Sequence, residues 1–221
     1  MKRTTTTTAY LLVEGNDDLH VVYALCEKHN LPENFVVRTP KSMGATADNA
    51  DNLLAVFATQ LLADDQTAVG IILDADQQNR WQQLQIRVQQ ANLGYQLPPQ
   101  PDPTGTVIPS PDGYAPRVGV WIMPDNTNPG ALEEFASQIM LRDANGREPL
   151  EPFANKILDE LEQARLNHYG AKRGKAFMRT WLAWQEQPGL PMGHAIGRGI
   201  LSAEAPIALA FVGWLNRLFN L

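Results

Sequence analysis

Six consecutive residues, Ala68, Val69, Gly70, Ile71, Ile72 and Leu73, carry no polar side chain. A strand with one face in water alternates polar and apolar positions. An unbroken apolar strand instead needs cover on both faces, as in a parallel sheet lying between helical layers. Residues 118–123 form a second run of this type. Around these two runs the pattern alternates between strand and helix periods. Residues 6–13 are β-branched and apolar and stop at Glu14-Gly15; Leu19, Val22, Tyr23 and Cys26 then recur at helical spacing, in a helix capped by Asn16 or Asp17 and ending near Asn30. Residues 35–37 read as a short strand, and residues 48–63 as an amphipathic helix with Leu53, Leu54, Phe57, Leu61 and Leu62 on its core face. Trp81, Leu84, Ile86 and Val88 mark a third helix, and residues 130–142 a fourth. The alternation predicts an α/β fold over residues 1–147: a three-layer domain with a mostly parallel sheet.

Two segments depart from that rhythm. Residues 96–117 hold seven prolines and no periodicity, which suits a lid, a binding loop or a hairpin excursion. From residue 148 the pattern becomes helical, with helices expected over 151–167, 176–184 and 207–219, so residues 148–221 read as a C-terminal helical extension or subdomain. Trp181 and Trp184 are expected in the core, and residues 188–193 form a tight turn. No internal repeat is visible.

Composition narrows the function classes. Hydrophobic residues are 44% and charged residues 19% of 221, enough to bury a core and incompatible with wholesale disorder. A formal charge of −6 argues against a generically basic nucleic-acid binder. A single cysteine excludes a disulfide framework and a zinc site built on several thiolates, and the four histidines show no HExxH pairing. The N-terminal apolar stretch is too short for a signal peptide, and no stretch approaches the roughly 18 apolar residues of a membrane span. The expected location is cytoplasmic, with no membrane association.

In an open α/β sheet, ligands bind outside the carboxyl ends of the strands. Three predicted strand ends finish in acid: Val13-Glu14-Gly15, Leu73-Asp74-Ala75-Asp76, and Met123-Pro124-Asp125 with Glu133 and Glu134 beyond. Singly, each has a bland explanation, because a DxD after a strand is often a turn or an N-cap and Asp17-Asp18 suits a helix start. Together, converging carboxylates repel unless cations neutralise them, and such oxygen ligands suit Mg²⁺ or Mn²⁺. Glu14 and Asp18 can face one point across a strand-to-helix turn. Asp74 and Asp76 would share a face of an extended chain.

The run Leu11-Leu12-Val13-Glu14-Gly15-x-x-Asp18, followed by Gly70-Ile71-Ile72-Leu73-Asp74-Ala75-Asp76, resembles a Toprim domain, the module of topoisomerases, bacterial primases, recombination mediators and OLD-type nucleases. The Glu14-to-Asp18 spacing is closest to the OLD-like branch. Gly119-Val120-Trp121-Ile122-Met123-Pro124-Asp125-Asn126 with Gly130-x-x-Glu133 also resembles a small bacterial family of Toprim-like proteins. The resemblance covers about residues 8–142. It implies a Mg²⁺- or Mn²⁺-dependent phosphoryl-transfer site. Glu14 would be a general acid/base or a metal ligand, Asp74 and Asp76 metal ligands, and Asp18 and Glu133 would complete one or two metal shells. It further implies nuclease or related phosphotransferase activity on DNA or RNA. The alternative is a non-catalytic or partner-dependent Toprim subunit of a defence or repair assembly, working with an ATPase on another chain or as a homo-oligomer. OLD proteins carry an ATPase sequence in the same chain, and none is present here. A phosphatase-type hydrolase with an aspartyl nucleophile ranks last, since it leaves Glu14 unexplained.

The tail contributes the opposite charge. Residues 163–203 contain Arg165, Lys172, Arg173, Lys175, Arg179 and Arg198 against Glu186 alone, a local +5. Either Lys172 or Lys175 is a candidate for stabilising transition-state charge on a phosphate, provided that the tail folds back beside the acidic edge.

Overall fold

The computed structural model describes residues 9–63, 66–75 and 79–221. Its elements in chain order are β1 (Ala9–Leu12), α1 (Asn16–Lys28), β2 (Val36–Arg38), α2 (Ala50–Leu61), β3 (Ala68–Asp74), α3 (Arg80–Ala91), β4 (Thr106–Ile108), β5 (Arg117–Met123), α4 (Leu132–Gln138), α5 (Glu151–Gln163), α6 (Arg173–Ala183), α7 (Met192–Gly197) and α8 (Pro206–Phe219). The strands form one five-stranded sheet in the order β2-β1-β3-β5-β4. Four of them run parallel, and β4 pairs antiparallel to β5. The fold is α/β with a mostly parallel sheet.

The apolar runs owe their continuity to cover on both faces. Val69, Ile71 and Leu73 of β3, with Val118, Val120 and Ile122 of β5, pack beneath Leu53, Leu54 and Phe57 of α2 and Trp81, Leu84 and Val88 of α3. The alternate positions, Ile72 and Trp121, face the opposite layer, where α1, α4 and the C-terminal helices share one apolar cluster with them. In this cluster Trp121 meets Phe211 of α8 edge-on, with ring centroids 5.0 Å apart. Gly70 and Gly119 are register partners on β3 and β5, and a Cβ at Gly119 would lie 2.4 Å from Leu218 Cδ2. The paired glycines therefore let α8 lie directly on the sheet, and the last helix forms part of the layer that covers it.

The proline-rich segment is a hairpin excursion that adds β4 to the edge of the sheet. Several local expectations need correction. The first helix is capped by Gly15 rather than Asn16 or Asp17. Leu62 lies beyond the end of α2 and is 59% exposed, so it leaves the core face. Trp184 is the C-cap of α6 and is 41% exposed, whereas Trp181 is buried. The turn expected over residues 188–193 ends early, because α7 starts at Met192. No helix among the described residues is long and apolar enough to cross a membrane.

Candidate functional site

The strand order reverses direction between β1 and β3: the chain leaves β1 for β2 on one side and returns to β3 on the other. The crevice outside the carboxyl ends of two such strands is where open α/β sheets place their ligands. Glu14 and Asp74 occupy those two ends. They meet there, the Asp74 backbone N–H donating to Glu14 Oε1 at 3.1 Å.

Asp18 sits in the first turn of α1, and its Oδ2 accepts the Gly15 N–H at 3.1 Å. Its position therefore follows in part from helix capping. Capping does not explain its electrostatics. Asp18 is only 8% exposed. Burial first, and then the charge of Glu14, raises its pKa to about 7; Glu133 pushes the same way, against the hydrogen bonds that favour the charged form. Glu14, Asp18 and Glu133 are thus coupled carboxylates in one field, although they come from β1's end, α1 and α4.

Glu133 stands in the first turn of α4, its side chain 12% exposed, with Lys175 Nζ 3.6 Å from its Oε1. Asp74, Glu133, Lys172 and Lys175 line one cleft of about 580 Å³. The tail thus brings two of its six cations to the acidic edge. Arg173 instead faces α5, paired with Asp159 and Glu162 at 2.7 Å each, and Arg179 pairs with Asp17 at 2.8 Å. Arg198 lines a different cavity with His20 and His194. Asp125 is a turn-builder. Burial acts against its charge, but hydrogen bonds from Asn128 and Thr127 outweigh it and hold the carboxyl down at about 2.

The wall between α4 and α6 depends on residues that spacing did not single out as ligands. Glu134 Oε2 accepts the Ala131 N–H at 2.8 Å, which fixes the loop entering α4. Its Oε1 reaches Gly174, where a Cβ would lie only 2.0 Å away. Gly174 is therefore a close-approach glycine that lets the start of α6 seat beside α4. A Ser or Thr at the N-cap would have announced this capping arrangement, but Ala131 stands there.

Asp76, the remaining expected ligand, lies outside the described residues. Among the described residues no group of three His, Cys, Asp or Glu side chains is arranged to hold a metal ion as it stands. The donors are nevertheless of the right class. They are hard carboxylate oxygens; burial first, and then their mutual repulsion, raises Asp18, and a divalent cation would relieve the repulsion.

No curated protein and no solved structure matches the chain. The family model described as "Protein of unknown function (DUF3226)" matches residues 8–220, which is nearly the whole chain, and the protein therefore belongs to the DUF3226 family.

Proposed function

We propose that the cleft outside β1 and β3 performs Mg²⁺- or Mn²⁺-dependent phosphodiester hydrolysis, or a related phosphoryl transfer, on DNA or RNA. The observation that supports it most is the pairing of opposite charges in one cleft. Asp74 and Glu133 line it together with Lys172 and Lys175, at the strand ends where Glu14 accepts the Asp74 N–H. The resemblance of Glu14-Gly15-x-x-Asp18 and Asp74-Ala75-Asp76 to Toprim motifs supports the same chemistry.

Glu14, Asp18, Asp74 and Glu133, with Asp76, would hold the ion. A bound divalent ion supplies Lewis-acid chemistry, polarising a phosphate oxygen and lowering the pKa of water. Lys172 and Lys175 attract the phosphate to an edge that carboxylates alone would repel, and their ammonium groups offset charge that develops on its oxygens. The Lys175–Glu133 pair keeps the Glu133 carboxylate partnered within the cleft. Glu14, whose Oε1 accepts the Asp74 N–H, would act as a general acid/base or as a ligand of that ion.

The deciding assay incubates plasmid and single-stranded substrates with wild type and Asp74→Asn, with Mg²⁺, with Mn²⁺ and with chelator. Cleavage should require the metal and fall by about 10²–10³-fold or more in the variant, the scale of losing one group that stabilises transition-state charge. Cleavage that persists in chelator and in Asp74→Asn overturns the assignment.

A further inference from the structure

A second cavity of about 660 Å³ adjoins the acidic cleft. Pro129 lines both, and Ala75, the residue after Asp74, lines the second. Its chemistry differs from that of the cleft. Its described lining contains no carboxylate and one cation, Arg80, whose Nη1 is bonded to Gln83. Trp81 and Ile122 provide apolar surface, and the indole is held in orientation by its Nε1 bond to the Pro98 carbonyl at 3.2 Å.

Primary amides face the same space with complementary capacity. Asn79 uses its Oδ1 to cap α3, leaving the Nδ2 donors. Asn128 uses its Nδ2 on Asp125, leaving its Oδ1 acceptor. Gln100 is exposed and makes no hydrogen bond among the described residues, so its amide offers both a donor and an acceptor. A cavity of this volume is within the range of small-molecule sites. Apolar surface combined with neutral amide donors and acceptors suits a flat, uncharged heteroaromatic ring with a polar edge. It does not suit a second phosphate, which would need cations, or an aliphatic chain, which would strand the amides.

We propose that this cavity receives the nucleobase of the nucleotide whose phosphate occupies the acidic cleft. The inference rests on the phosphodiester reading of that cleft and adds a base-recognition subsite to it. The base packs its face on the apolar wall and presents its edge to Gln100, Asn79 and Asn128.

The test is calorimetric titration of the full chain, in Mg²⁺, with the nucleoside 5′-monophosphates and with ribose 5-phosphate. At least one nucleotide should bind about tenfold or more tighter than ribose 5-phosphate, equivalent to about 1.4 kcal/mol from the base. Gln100→Ala should remove most of that difference. The variant should melt with wild type and bind ribose 5-phosphate unchanged. Equal binding of nucleotides and ribose 5-phosphate overturns the subsite, as does a nucleotide preference that survives Gln100→Ala undiminished. The two readings separate cleanly. Base-dependent binding without metal-dependent cleavage retains the pocket and rejects hydrolysis, whereas cleavage without base-dependent binding retains hydrolysis and rejects the pocket.

Discussion

Asp18 is a carboxyl that the fold buries beside two others, and this has a measurable consequence for stability. Its folded pKa of about 7 lies above the 3.8 of an ordinary aspartate. Between those values the folded chain keeps a proton that the unfolded chain has released, so stability is fullest below pH 4 and falls as pH rises towards 7. The whole window is worth up to about 4 kcal/mol. Asp18→Asn retains an oxygen for the Gly15 N–H and removes the charge. Urea denaturation should find the variant more stable than wild type at pH 8, with this part of the pH slope lost; an unchanged slope would show that Asp18 is not the group responsible. Metal addresses the same conflict. At pH 8 a hundredfold excess of Mg²⁺ over Kd should stabilise wild type by about 2.7 kcal/mol. Asp18→Asn should respond less, and a wild-type melting temperature indifferent to millimolar Mg²⁺ and Mn²⁺ counts against a metal site. At this scale the sequence was informative about which acids stand near the strand ends, since Glu14, Asp18, Asp74 and Glu133 could all be named from strand ends and turns. Glu134 could be named beside Glu133, but nothing local showed that it reaches Gly174 across forty residues of chain.

At the scale of elements, close approach decides what substitution can do. The Gly70–Gly119 pair sits under Leu218 of α8, so Gly119→Ala places a methyl where that leucine already packs. Overpacking of this kind costs about 1–3 kcal/mol. Leu218→Ala also destabilises, by leaving a void, but the double variant should lose less than the sum, because each change accommodates the other. Additive losses in chemical denaturation would mean that the two positions do not share the contact. Gly174→Ala tests the α4–α6 seam: its methyl must displace Glu134 from the Ala131 N–H, with an expected cost of about 1 kcal/mol for the lost cap and reduced cleavage in the plasmid assay. Wild-type stability and activity together would remove Glu134 from the description of the site. The elements that differ from the sequence reading do so for two reasons. α7 carries two glycines in six residues, a poor helix by propensity. It forms because Ala195 and Ile196 are fully buried and Gly193 lets it approach the backbone of His20 on α1. Periodicity puts Leu62 on a buried face and Trp184 is expected in the core, but α2 ends at Leu61 and α6 at Ala183.

Across the whole molecule, the C-terminal helices and the sheet share one apolar cluster in which Trp214 is completely buried and its Nε1 donates to the Thr106 carbonyl of β4 at 3.1 Å. Trp214→Ala should cost about 3–5 kcal/mol. Wild type should unfold in one transition by circular dichroism and by tryptophan fluorescence, because the tail cannot leave without uncovering Ile72 and Trp121. Separate transitions would show that the tail melts independently. What the sequence determined alone is the class of the fold and the presence of acids just beyond its strand ends: two continuous apolar strands require helices on both faces, and local alternation of strand and helix makes the sheet mostly parallel. What only tertiary structure decided is which surfaces meet. The +5 segment reads as one basic patch, yet Arg173 and Arg179 are engaged by acids of α5 and α1 while Lys172 and Lys175 reach the cleft. That division depends on where α6 seats against α4, which is set by the absence of a side chain at Gly174 and by apolar burial far along the chain. Local periodicity records which face of a helix is greasy, but burial is non-directional and does not name the partner that covers it.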